Sequence, residues 1–126
     1  MRLLLDTHVV LWHLSGARSL GARARERVGA ATELAFSVVS FAEIGVKAAV
    51  GKLEVPGDLH AHVLETGIRI LGLSADHGLA VASLPLHHRD PFDRLLIAQA
   101  RQEGLTLVTA DPRIHAYDVA VLDPLA

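Results

Sequence analysis

Four carboxylates in this chain of 126 residues stand where they could hold a divalent cation: Asp6, Glu43, Asp93 and Asp111. Asp6 ends the apolar run Leu3-Leu4-Leu5, and Asp111 follows Leu107-Val108-Thr109-Ala110. Glu43 and Asp93 fall where helical patterns begin. Carboxylates a few ångströms apart repel and resist ionising together, so four of them at neutral pH call for a cation between them. Hard oxygen donors select Mg2+ or Mn2+. Such an ion lowers the pKa of a water for in-line attack on a phosphodiester, and a second ion, about 3.5–4 Å away, stabilises the leaving 3′ oxygen. That chemistry needs no side-chain nucleophile, which suits a chain without cysteine and without a Ser-His-Asp arrangement.

The elements that must position these acids read from local signals. The stretch 87–104 is a helix with both ends marked. Asp90 is an N-cap, Pro91 occupies the first turn, and Gly104 ends the helix in a left-handed conformation. Phe92, Leu95, Leu96 and Ala100 make its apolar stripe. Asp93 is then the third helical residue. Ahead of it, residues 2–5 read as a strand, with Thr7 a cap for a helix over 8–14. Ser19 caps a helix whose inner face is Leu20, Ala24 and Val28. Residues 34–37 are a second strand, and Ser40-Phe41-Ala42-Glu43 reads as a capping box opening a helix to about Val50. Asp58 caps a short helix to Glu65, residues 68–71 are a third strand, and a helix over 75–84 stops before Pro85. Residues 105–109 and 119–122 are the last strands.

Strands apolar on both faces, alternating with helices, argue for a parallel sheet with helices on both sides. Ligands of such sheets bind beyond the carboxyl ends of the strands, where strand order reverses. With the order 3-2-1-4-5, Asp6 and Asp111 follow neighbouring strands at that point, and Glu43 and Asp93 reach the same rim. Each acid also has an ordinary explanation. Asp93 suits the first turn of any helix, Glu43 can close a box with Ser40 or pair with Lys47, and Asp6 and Asp111 can be turn residues.

Length fits a single domain over 1–126. Charged residues are 21% of the chain, and the formal net charge is −2, against passive binding of nucleic acid, where phosphate neutralisation dominates. A metal-dependent contact is less affected, because bound cations reverse the local sign. Ten Arg against two Lys leave Arg18, Arg23, Arg25, Arg27, Arg89 and Arg94 for phosphate. The lack of cysteine is compatible with a reducing cytoplasm, and no stretch is a signal peptide or a membrane span. His60 and His62 point to different helix faces and make a poor chelate. His87 and His88 sit together in a polar loop, where they touch RNA or are solvated.

Leu-Leu-Leu-Asp-Thr-His at the start, Ser-Val-Val-Ser-Phe-Ala-Glu-Ile before Lys47, the run from Asp90 to Ala100, and Leu107-Val108-Thr109-Ala110-Asp111 together resemble the PIN-domain family, and most closely its VapC-type toxins of toxin–antitoxin pairs. The likeness runs the whole chain, with the motifs in the family's order. It implies a three-layer α/β/α sandwich around a five-stranded parallel sheet of order 3-2-1-4-5. It implies a Mg2+- or Mn2+-dependent endoribonuclease acting on structured RNA such as tRNA or rRNA, with the metal at Asp6, Glu43, Asp93 and Asp111. It also implies a homodimer and a cognate antitoxin whose basic or apolar tail crosses the site. Arg113 stands where some relatives carry a further acid. The competing reading is a module of the same fold that grips a basic peptide without catalysis. A haloacid-dehalogenase-like phosphatase fits less well, since the second Asp it needs falls at His8. A receiver domain also fits less well, since the third strand runs into Gly72-Leu73-Ser74.

Overall fold

A computed structural model describes residues 1–126. Five strands, β1 (Arg2–Leu5), β2 (Glu33–Ser37), β3 (Arg69–Leu71), β4 (Thr106–Val108) and β5 (Val121–Leu122), pair in the order 3-2-1-4-5, all parallel. The order expected from the sequence is the one found. β1 is central because it is the most apolar strand, and Leu3, Leu4 and Leu5 are all buried. Their alternation divides the interior. Leu4 joins its register partners Ala35 and Leu107 on one face, against Leu96, Ile97 and Ala100. Leu5 joins Phe36 and Val108 on the other, with Val9, Val10, Leu59 and Val63.

The helices therefore form two outer layers. α1 (Thr7–Ser15), α2 (Ala22–Ala30) and α4 (Leu59–Glu65) cover the Leu5 face, while α6 (Pro91–Glu103) covers the Leu4 face with a short α5 (Ala75–Ala80) beside it. α3 (Val38–Ala49) straddles the edge, giving Val39 to one core and Ile44 to the other. At the amino edge of the sheet Glu33 joins Arg2 and Arg69, so one carboxylate links β1, β2 and β3. Hydrogen bonds from Arg2 and then Arg69 hold that carboxyl below its usual range.

Several helix starts differ from their sequence signals. α3 begins at Val38, with its cap at Ser37 three residues before the expected one at Ser40, because the Ser37 hydroxyl accepts the Val39 N–H and β2 runs into the helix without a loop. Glu43 is thus inside the helix, and its bond goes to Thr7 rather than back to a cap. A capping box does occur, at Ser74 and His77. Thr7 is the first helical residue rather than the cap; Asp6 holds the cap position. Gly21, not Ser19, precedes α2, where an added Cβ would stand 2.3 Å from the Ala126 carbonyl carbon. Asp58 sits at the start of α4 with a φ of 55° and no side-chain cap bond. The helix expected over 75–84 tightens into a 3-10 turn at Val81–Ser83.

α6 follows its signals closely. Asp90 Oδ1 accepts the N–H groups of Phe92 (2.8 Å) and Asp93 (3.3 Å), and Gly104 has a φ of 66°. Asp90→Ala is expected to cost about 0.5–2 kcal/mol in denaturant unfolding while leaving the fold intact. An unchanged midpoint would deny the cap its role.

Candidate metal centre

β1 and β4 lie side by side, and the chain leaves both at the carboxyl edge of the sheet. The Asp6 N–H still bonds to the Val108 carbonyl (3.0 Å), which fixes Asp6 against the end of β4. Its Oδ2 accepts the Thr109 hydroxyl at 2.8 Å. Its Oδ1 is buried and has no hydrogen-bond partner. Thr109 thus orients Asp6, a role its place at a strand end did not disclose. Burial, and secondarily the charge of Glu43, raises the Asp6 carboxyl above its ordinary value.

Glu43 enters from the second turn of α3 and is 1% exposed. Thr7, which lies 2.7 Å from Ser40 Oγ, donates to Glu43 Oε1 at 2.7 Å, and Lys47 Nζ meets Oε2 at 2.5 Å. The i,i+4 pair that offered an ordinary explanation of Glu43 is therefore present. It leaves the carboxylate facing Asp6 and Asp93, whose acidities it perturbs. Asp93, the third residue of α6, is 9% exposed. Burial, followed by the charges of Asp6, Asp90, Glu43 and Asp111, pushes its carboxyl up to about 8. Asp111 is half-buried. Burial works to raise it, but the Arg113 N–H (2.9 Å) and guanidinium prevail and hold it below its usual range.

The structure thus gathers all four acids, three of them deep. It also adds a residue that the sequence left between RNA contact and solvent. His88 is 4% exposed, and its Nε2 stands 2.8 Å from Asp93 Oδ2 and 3.1 Å from Asp111 Oδ2. These three residues form the tightest group, with ligand-type atoms within 4.8 Å of one another; Asp6 and Glu43 stand outside it. The available signal was position: His88 sits two residues before the cap of the helix that carries Asp93. Arg94 is buried as well, and so is withdrawn from the arginines counted for phosphate. Its guanidinium bonds to the carbonyls of Pro85 (2.8 Å) and Val81 (3.0 Å) and to Tyr117 Oη (3.2 Å).

An oxygen-rich donor set with a buried, unpartnered carboxylate oxygen fits a hard divalent cation. The crowding has a consequence without metal. The folded state favours protonated Asp93, so this group adds stability below its unfolded value near 3.8 and withdraws it as pH rises towards about 8. In EDTA, the melting temperature of wild type minus that of Asp93→Asn is therefore expected to fall between pH 4.5 and 8. A flat difference would show that burial and the neighbouring charges do not hold the Asp93 carboxyl above its ordinary value.

A parallel sheet with carboxylates gathered at its carboxyl edge, where strand order turns back, defines an α/β domain with an acidic ligand centre. The family is more specific: the chain belongs to the PIN domain family, whose profile matches residues 3–120. It is 29% identical over 117 residues to Ribonuclease VapC22 of Mycobacterium tuberculosis, covering 90% of each chain. Its fold is that of a chain in VapBC2 from Rickettsia felis bound to a promoter DNA fragment, with a TM-score of 0.73, 17% identity and coverage of 97% and 98% of the two chains. FitAcB from Neisseria gonorrhoeae is also similar, with a TM-score of 0.63, 23% identity and 97% of each chain covered. No helix is long and apolar enough to cross a membrane.

Proposed function

We propose that this protein is the toxin of a type II toxin–antitoxin pair, a cytoplasmic, metal-dependent endoribonuclease that cuts structured RNA. The observation that carries the reading is the buried, partnerless Asp6 Oδ1 beside Glu43 and Asp93. Such an arrangement costs stability unless a cation completes it. Asp6, Glu43, Asp93 and Asp111 would hold Mg2+ or Mn2+, which when bound supplies a water of lowered pKa and neutralises charge on the phosphate.

The chain's own side chains prepare that site. Thr109 fixes Asp6 with one oxygen left free, while Thr7 and Lys47 fix Glu43. The Asp90 cap points the first turn of α6, and Asp93 with it, at the centre. Exposed Arg113, paired with Asp111, supplies positive charge beside the acids, suited to an entering phosphate. The VapBC and FitAcB likenesses support an antitoxin partner. An apolar groove of about 520 Å3 between α1 and α2, which includes Val9, Trp12, Leu20 and Val28, suits an apolar antitoxin segment. The homodimer rests on resemblance.

The test is cleavage of pooled, end-labelled tRNA and ribosomal RNA by antitoxin-free protein in Mg2+, Mn2+ or EDTA. Discrete cuts that require metal are expected. Cutting that survives EDTA would overturn the metal reading. A folded protein that binds its antitoxin but cuts no RNA would favour the binding module.

A further inference from the structure

The four acids leave His88 unexplained, although its Nε2 stands within hydrogen-bond distance of two of them, Asp93 and Asp111. Its place is heavily determined. The His88 N–H donates to Tyr117 Oη at 2.9 Å, and its carbonyl accepts from Arg94 Nη1 at 3.4 Å. Those two partners come from β5's approach and from α6, so the backbone that carries the ring is tied from both sides. The ring itself is held at both nitrogens. Nδ1 accepts the Asp90 N–H at 3.3 Å, and Nε2 is hydrogen-bonded to Asp111 Oδ2 at 3.1 Å with Asp93 Oδ2 at 2.8 Å.

The Nδ1 contact decides what Nε2 can do. A ring nitrogen that faces an N–H must present its lone pair, so the ring proton resides on Nε2. An Nε2–H has no lone pair to give a cation. A ligating histidine has the opposite arrangement, with a bare nitrogen on the metal and the other N–H donated to an oxygen.

We infer that His88 is a positioning residue of the metal centre rather than one of its ligands: its Nε2–H holds the Asp93 and Asp111 carboxylates together, so that a cation meets them already arranged. The inference rests on the metal-centre reading above. It assigns a role to the one buried histidine at the site, and it makes Asp90 a double support, capping α6 with its side chain and setting the His88 ring with its N–H.

The test is Mn2+ binding, read by electron paramagnetic resonance on 15N-labelled wild type, His88→Ala, His88→Gln and Tyr117→Phe. His88→Ala is expected to weaken Mn2+ binding about 10- to 100-fold, the scale for losing a residue that orients ligands. His88→Gln, whose amide N–H can reach the place of Nε2, is expected to recover most of it. Tyr117→Phe keeps the imidazole but frees its backbone, and is expected to weaken binding less than His88→Ala. The wild-type spectrum is expected to show no directly coordinated nitrogen that depends on residue 88. A coordinated nitrogen that vanishes in His88→Gln would make His88 a ligand and overturn the inference. That comparison is read on His88→Gln protein whose circular dichroism and melting match wild type, so that a vanished nitrogen reports residue 88 and not a lost fold. Unchanged Mn2+ affinity in His88→Ala would overturn the inference alone, whereas a wild type that binds no Mn2+ would remove the metal-centre reading with it.

Discussion

Asp6→Asn is expected to purify folded, to cut RNA at no detectable rate, and to melt at a higher temperature than wild type in EDTA. The shape of the side chain is nearly unchanged. The amide oxygen can still accept the Thr109 hydroxyl, as Asp6 Oδ2 does at 2.8 Å. What is lost is a charge that burial and the neighbouring acids oppose in the metal-free protein: Asp6 Oδ1 is buried without a partner, and Glu43 and Asp93 are acids too. Replacing that oxygen with an amide N–H turns a repulsion into a possible hydrogen bond. Stability should therefore rise while activity falls, the trade expected where a site is built for its ligand rather than for the fold. The loss of activity should be at least about 100- to 1,000-fold, the scale for removing a single preorganised electrostatic partner. Parallel thermal melts and RNA digestion of identically prepared samples check both halves. Equal cutting by the variant would point to a contaminating nuclease. A lower melting temperature in EDTA would make Asp6 a structural residue.

How much of this centre was legible depended on whether its signals were local. Asp6 and Asp111 were readable because apolar strands end abruptly at them, and sheet order then makes them neighbours. Asp93 was readable because Asp90, Pro91 and Gly104 mark α6 at both ends. Glu43 was found for partly the wrong reason. Ser40-x-x-Glu43 imitates a capping box, but Ser37 begins the helix directly from the end of β2, and the Glu43 side chain turns to Thr7. His88 was not readable. Its neighbours in sequence are polar, and its burial comes from Tyr117, 29 residues on, and from Asp111, 23 residues on. A tertiary contact of that kind leaves no periodicity and no cap behind. Arg94 misled for the same reason, since an arginine on a helix is usually solvated.

Arg94→Met is expected to be the most destabilising single change near the site, by on the order of 3 kcal/mol. Arg94 is 9% exposed, and no carboxylate pairs with its guanidinium. Its charge is met instead by carbonyl dipoles: Pro85 at 2.8 Å, Val81 at 3.0 Å, Leu84 at 3.3 Å and His88 at 3.4 Å, with Tyr117 Oη at 3.2 Å. The four carbonyls belong to the turn that follows α5 and to the loop that enters α6. That segment has little regular structure to satisfy its carbonyls, so one planar fork of donors takes their place. Methionine keeps the apolar stem and roughly the volume, but strands the carbonyls. Relief of the buried cation offsets part of the loss, which is why the expected figure is below the sum of the bonds. Arg94→Lys should recover less than half, because a single ammonium cannot reach five acceptors spread around a plane. Denaturant unfolding with the m-value monitored checks the magnitude. Hydrogen exchange checks the location, with protection expected to fall first over residues 81–90. A loss under about 1 kcal/mol would mean that water reaches these carbonyls as readily as Arg94 does. A loss of the expected size joins fold and site, since the loop that Arg94 holds is the one that brings His88 between Asp93 and Asp111.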